Sequence, residues 1–174
     1  MSKILTLIIA GTLASQALAQ SPAPKNAETS YQSGLAAEQA GDPVAAGNHY
    51  RDALKIDPKH ANARYSLGQL KLTSASIATK GREAKFGSVM IPVFQLEEAS
   101  LQEALDAFGM LIEKQSNEQV TPNFVIQDPK NLLAGRKVTL NLKNTPSKGV
   151  LQYLMEQTGA KARHDEYAIV VVPR

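Results

Sequence analysis

The feature that most constrains the fold is a change of hydrophobic period within residues 138–159, VTLNLKNTPSKGVLQYLMEQTG. The first half alternates apolar and polar residues, which is the pattern of a strand with one buried face. The second half places its apolar residues along one side of a helix, and Gly159 supplies the left-handed stop that commonly ends a helix. Thr145 is expected to cap this helix, with Pro146 at its first helical position. Such a stretch requires a fold in which a sheet and a helix share a core.

The surrounding residues extend this unit to a small domain over 90–174, with the order β-α-β-β-α-β-β and two helices between small sheets. Pro92 cannot donate to a hydrogen-bond ladder, so the strand that contains it belongs at a sheet edge. Ser100, followed three residues later by Glu103, forms the capping-box pattern of a helix start. The last strand is apolar on both faces and is expected at the centre of its sheet. The strands besides the one at 138–143 are predicted at 90–96, 123–128, 160–166 and 167–172.

Residues 27–72 predict an all-α helical hairpin in front of this domain, so the fold class is α+β. Gly68 lies 34 residues after Gly34, and 34 is the period of the tetratricopeptide repeat. The segment resembles one such repeat and the start of a second, in which small residues let neighbouring helices approach closely. The positions that match the repeat are Gly34, Ala46, Tyr50, Ala53 and Pro58.

Residues 73–89 are predicted to be a linker, and the sequence leaves them undecided between a hinge and a packed helix. No convincing second helix of a second repeat is visible there. Repeats of this kind do not bury their apolar faces alone, and about three are usually needed for stability. The helical unit is therefore expected to pack on the second half, on another copy or on a partner.

The first 19 residues have the layout of a secretory signal peptide, with Lys3, an apolar run and a small-residue pattern ending at Ala19. Cleavage after Ala19 predicts an exported, periplasmic protein with a flexible lead at 20–26. The chain contains no cysteine. It therefore forms no disulfide, and it lacks the cysteine to which bacterial lipoproteins attach a lipid anchor.

The domain at 90–174 resembles, over residues 91–173, the short N-terminal domain shared by secretins and TonB-dependent receptors. The resemblance lies in three pieces: the strand with Phe94 and Leu96 leading into LQEAL, the stretch at 138–159, and the closing YAIVVVP. It implies a domain that docks on other envelope proteins. The chain departs from both classes because it has no outer-membrane barrel sequence, so it resembles a free-standing relative.

The sequence contains no pattern that predicts a catalytic, cofactor-binding or metal-binding residue, so no enzyme is expected. The histidines His49, His60 and His164 fit no metal-binding frame, and no nucleophile motif or phosphate loop is present. Asp57 and His60 are close enough to suggest two metal ligands, but a solvated turn at a helix end is the favoured interpretation. Two basic clusters are expected in solvated loops, and Phe86 is the one aromatic residue near them in the sequence, so no nucleic acid is expected. Docking on an acidic partner face or an anionic membrane surface is the functional alternative for these clusters. These clusters are Lys80, Arg82 and Lys85, and Arg136 with Lys137.

The favoured hypothesis is a non-enzymatic adaptor or assembly component of an envelope machine, such as a secretin-based secretion or type IV pilus system. Its partner would be a secretin or platform component, bound in a helical groove or by strand addition. A periplasmic ligand- or glycan-binding signalling module and a self-assembling homo-oligomer are the alternatives. The predicted groove residues are Tyr31, Arg64, Tyr65 and Gln69, and the predicted acceptor strand contains Phe124, Val125, Ile126 and Gln127.

Overall fold

A computed structural model describes residues 26–174, and the predicted signal peptide at 1–19 and most of the lead at 20–26 lie outside these residues. The described chain is α+β, as predicted. None of its helices is long and apolar enough to cross a membrane. Its elements are α1 (Ala27–Gln39), α2 (Pro43–Ile56), α3 (Ala61–Ser88), β1 (Met90–Ser100), α4 (Leu101–Gln115), β2 (Phe124–Ile126), β3 (Lys137–Pro146), α5 (Ser147–Thr158), β4 (Ala160–His164) and β5 (Ile169–Pro173).

Helices α1 and α2 pack through a glycine and a tyrosine. A Cβ atom added to Gly34 would lie 2.3 Å from Cε1 of Tyr50, so only glycine leaves room for that ring. The Tyr50 ring is fully buried, and its hydroxyl donates to Glu38 at 2.8 Å. Burial, followed by the bond to Glu38, raises the pKa of the Tyr50 phenol well above its usual range. The small N-terminal core forms around Tyr50, Ala46 and Leu70.

The segment expected to be a linker at 73–89 is helical through Ser88, because α3 continues without interruption from Ala61. No proline lies between Pro58 and Pro92 to stop it. The helix does not turn back to form the second half of a repeat. A Cβ atom added to Gly68 would accordingly meet no other atom within 4 Å. The prediction that Gly68 allows a close approach of neighbouring helices is therefore wrong.

Helix α3 crosses the turn between α1 and α2 in backbone contact. A Cβ atom on Gly81 would lie 2.6 Å from the carbonyl oxygen of Gly41. Gly41 also has a φ of +76°, a left-handed conformation that favours glycine. Two glycines therefore fix the helical hairpin against the C-terminal part of α3.

The end of α3 belongs to a second and larger core. The Phe86 side chain is 3% exposed, and its ring centroid lies 6.1 Å from that of Phe108 and 6.3 Å from that of Phe124. Ser147, the first residue of α5, donates its N–H to the Val89 carbonyl at 2.8 Å, and its hydroxyl donates to the Phe86 carbonyl. One helix thus packs into both cores.

Two small sheets and two helices enclose that larger core. Strands β1 and β3 pair antiparallel, with a register shift between Leu96 and Ala99. The other sheet has the order β2-β5-β4, so the apolar strand β5 is central, as predicted. Helix α4 packs on β1 and β2, and α5 packs on β3 and β4, so each helix contacts both sheets.

The helix boundaries test the predicted caps. The Ser100–Glu103 capping box is confirmed, and Gly159 ends α5 at φ +67°. The prediction that Thr145 caps α5 is wrong, because Pro146 occupies the cap position and α5 begins at Ser147. The reason is that β3 continues to Pro146, which pairs with Met90. Thr145 lies within that strand, and its hydroxyl donates to the Lys143 carbonyl.

Replacing Gly81 by alanine tests the backbone contact between α3 and the α1–α2 turn. The added methyl group overlaps the Gly41 backbone, so we expect Gly81→Ala to lower the free energy of unfolding by about 1–3 kcal/mol. Gly68→Ala is the matched control on the same helix. It meets open space and should raise the free energy of unfolding by up to about 1 kcal/mol through helix propensity. Urea unfolding followed by far-UV circular dichroism measures both, and equal effects would contradict the contact.

Candidate functional site

The predicted helical groove is only partly exposed. The Tyr65 side chain is 69% exposed, and Gln69 is exposed one turn later on the same face of α3. Arg64 is also exposed, but its guanidinium donates to the Pro58 carbonyl and so stabilises the turn before α3. Tyr31 is half-buried, and its ring centroid lies 5.8 Å from that of Tyr50. Tyr31 is therefore part of the packing of the hairpin, whereas the other three are exposed on α3.

His60 caps α3 and does not form part of a metal group. Its Nδ1 atom accepts the N–H of Ala63 at 3.1 Å, so the proton of the neutral ring lies on Nε2, which contacts Glu28 at 3.2 Å. A hydrogen bond from Gln32 lowers the pKa of the Glu28 carboxyl, as does His60 to a smaller extent. Within residues 26–174, no three His, Cys, Asp or Glu side chains lie close enough together to hold a metal.

Strand β2 lies at an edge of its sheet. It pairs in parallel with β5 from Phe124 to Ile126, and no other strand of residues 26–174 pairs with it. The Phe124 and Ile126 side chains pack against the larger core, whereas Val125 is 37% exposed. Gln127 is exposed and continues the pairing. The structure thus places all four predicted strand residues along one sheet edge.

The hydrogen bonds of β2 show which backbone groups face outwards. Gln127 donates its N–H to Val171 at 2.8 Å, and the Asn123 carbonyl accepts from Ile169 at 2.8 Å. In a parallel pair, alternate residues of a strand bond to the partner strand. The N–H and C=O groups of Phe124 and Ile126 therefore point to the open edge, where a further strand would find two donors and two acceptors.

A cleft of about 190 Å³ lies beside the start of β2. Its sides come from three separate segments: the last turns of α3, the loop that precedes β2, and the turn between β4 and β5. Phe86 and Ile169 supply buried apolar surface, and Arg82 and Lys85 supply positive charge. The other residues lining the cleft are Thr79, Gln119, Val120, Thr121, Pro122, Asn123, His164, Asp165, Tyr167 and Ala168.

His164 contributes an uncharged imidazole to this cleft. Its ring centroid lies 5.4 Å from that of Phe86, in an edge-on arrangement. Burial lowers the pKa of His164, Lys148 lowers it further, and Glu83 opposes both. The ring is therefore mostly neutral at pH 7, and the positive charge of the cleft comes from Arg82 and Lys85.

Sequence reasoning missed this cleft although it had singled out some of the residues. The cluster of Lys80, Arg82 and Lys85 was expected in a loop, but all three lie on α3. Helical geometry places Arg82 and Lys85 on one face and directs Lys80 elsewhere. Of the aromatic residues beside this cluster, Phe86 directly follows Lys85, but Tyr167 lies in the turn between β4 and β5. No local pattern could have joined Tyr167 to the cluster.

Comparison with family models, with curated proteins and with solved structures finds no match to this chain. The described residues offer three surfaces for binding: the open edge of β2, the exposed face of α3 and the cleft. Of these, the edge offers unpaired backbone groups, the helix face offers exposed apolar and polar side chains, and the cleft combines charge with an apolar wall.

The lowered pKa of His164 predicts a stability that depends on pH. The contribution of this group is fully present above the unfolded-state pKa of about 6.5, and it is lost as pH falls toward the lower folded-state pKa. His164→Gln removes this proton linkage. We expect the difference in free energy of unfolding between the wild type and His164→Gln to shrink between about pH 7.5 and about pH 5. Urea titrations at several pH values measure it, and a constant difference would show that burial does not depress this pKa.

Proposed function

We propose that this chain is a non-enzymatic periplasmic adaptor or assembly component of an envelope machine, acting by protein–protein interaction. The observation that carries the proposal is the open edge of β2. Phe124 and Ile126 present unpaired backbone groups there, and such an edge is a template for strand addition by a partner. Pairing in this way requires no reactive side chain.

The kind of machine follows from the resemblance to the secretin and TonB-receptor short N-terminal domain. The observed order β1-α4-β2-β3-α5-β4-β5, with each helix in contact with both small sheets, supports that resemblance. A secretin-based secretion or type IV pilus-like system is therefore the proposed setting. The periplasmic location rests on the signal-peptide pattern of residues 1–19.

The exposed face of α3 offers a second surface for the same function. Tyr65 and Leu72 are seven residues apart, hence on one side of the helix, and Leu72 is 81% exposed. Gly68 lies between them with open space above it. At the position 34 residues earlier, Gly34 receives the Tyr50 ring of a neighbouring helix, so the Gly68 face is suited to a partner helix with a similar side chain.

A ligand-binding signalling module is the second candidate function. The observation that favours it is the cleft at the end of α3, which brings aromatic, basic and amide side chains together. The two functions are compatible, because the cleft and the open edge of β2 are different surfaces of the same domain.

A charge on the edge strand tests the proposed docking surface. We expect Val125→Lys to reduce the capture of a secretin or platform component from native envelope extracts by about tenfold, because edge lysines oppose strand addition. Met110→Lys is the matched control, since Met110 is an exposed apolar residue on α4. Quantitative mass spectrometry on captures with residues 20–174 as bait measures the effect, after circular dichroism has shown that both variants fold.

Two results would contradict the proposal. One is equal capture by the wild type and by Val125→Lys, which would remove the β2 edge as the docking surface. The other is unchanged secretin multimers and unchanged secretion or pilus output after deletion of the gene, which would remove the envelope machine. A concentration-dependent oligomer of the bait, without any partner, would instead favour self-assembly.

A further inference from the structure

We propose that the cleft at the end of α3 is a binding site for a carboxylate attached to a small apolar group, held by Arg82 and Lys85 against Phe86. The site is separate from strand docking at β2 and does not depend on the identity of the envelope partner. Three features of the cleft support it: unpaired positive charge, a buried apolar wall and a small volume.

The two cations of the cleft have no acidic partner at ion-pair distance within residues 26–174. Arg82 bonds to the Thr79 hydroxyl at 3.0 Å, and neither Arg82 nor Lys85 forms an ion pair with a described acidic side chain. The cleft carboxylate, Asp165, lies 3.1 Å from Arg163 instead. A guanidinium with free N–H groups, next to an ammonium group, is suited to a planar carboxylate.

Two other acidic side chains near the cleft are also engaged elsewhere. Glu166 accepts the hydroxyl proton of its neighbour Tyr167 at 2.7 Å. Glu83 lies 4.0 Å from Lys148 across the contact between α3 and α5. The Glu83 and Asp165 charges each have a cationic partner, whereas Glu166 keeps its negative charge outside the cleft lining. Among the residues that line the cleft, Arg82 and Lys85 outnumber Asp165, so an incoming anion would meet a net positive charge.

The apolar wall of the cleft favours a ligand whose carboxylate is attached to an apolar group. Phe86 and Ile169 are buried in the core, and Val120 and Pro122 extend this surface along the loop before β2. An apolar group against this wall is removed from water, which adds to affinity roughly in proportion to the area buried. A fully polar anion such as inorganic phosphate would leave the wall without a partner.

The volume of the cleft sets the size of the ligand. Pockets for drug-sized ligands enclose roughly 300–1,000 Å³. At about 190 Å³, this cleft fits a small molecule or the last residue of a chain. A free organic acid and the C-terminal carboxylate of a peptide share the required chemistry.

Titration with phenylacetate and with its uncharged analogue, phenylacetamide, tests the proposal. The readout is the backbone amide shifts of residues around the cleft in ¹⁵N-labelled protein comprising residues 20–174. We expect phenylacetate to shift the amides of Phe86, Asn123 and His164, and phenylacetamide to shift them far less. Arg82→Gln and Lys85→Gln should each weaken phenylacetate binding by about tenfold, the effect of losing one charge-assisted hydrogen bond.

Lys80→Gln is the matched control, because it removes one positive charge from the same helix at a residue that does not line the cleft. It should leave the affinity for phenylacetate within about twofold of the wild type, since exposed charges act weakly through solvent. Equal weakening by Lys80→Gln, equal binding of phenylacetamide, or no shift at the cleft would each overturn the proposal. The three substitutions are at exposed residues. The same spectra show whether each variant folds like the wild type.

N-acetyl-alanyl-alanine and its C-terminal amide distinguish the two sources of the carboxylate. Binding of the free acid but not of the amide, with loss in Arg82→Gln, supports capture of a chain terminus. Binding of phenylacetate alone supports a free organic acid. Neither experiment involves the β2 edge. Failure of the carboxylate proposal is therefore distinguishable from failure of the proposed adaptor function.

Discussion

The backbone contact between Gly41 and Gly81 is the constraint on which the arrangement of the two halves depends. It fixes the α1–α2 turn against the C-terminal part of α3, where any larger residue would separate them. Five residues after Gly81, the same helix inserts Phe86 into the core formed by both sheets. Since an α-helix is stiff over such a distance, the hairpin and the C-terminal domain are held together by continuous helix. Of the two alternatives left open by the sequence for 73–89, a hinge and a packed helix, the structure has the helix.

This connection also explains how the α1–α2 hairpin covers its apolar face. The hairpin packs Tyr50 and Ala46 against Leu70 of α3, so α3 supplies the third helix that the unit needs. The C-terminal end of α3 is stabilised differently, through Phe86 and through the two hydrogen bonds from Ser147. The face of α3 that carries Tyr65, Gly68 and Leu72 serves neither core. That face is left exposed, with Tyr65 and Leu72 on either side of Gly68.

The C-terminal domain was more predictable than the first half because its signals are local. The capping box at Ser100, the glycine stop at Gly159 and the alternation from Val138 each depend on residues close in sequence. The length of α3 was not predictable in this way. Its few buried residues lie at uneven intervals and belong to two different cores, so they give no single apolar stripe. The cleft escaped prediction for a related reason, since its three segments meet only in the folded chain.

The cleft and the open edge share one physical element, the contact between Phe86 and Phe124. Phe86 forms part of the cleft wall, and Phe124, whose ring packs on it, begins the edge strand β2. Pro122 and Asn123 line the cleft and lead directly into that strand. A ligand that alters the loop before β2 would therefore alter the strand that a partner pairs with. Linkage requires any such effect to be reciprocal: the factor by which a carboxylate changes partner affinity equals the factor by which the partner changes carboxylate affinity.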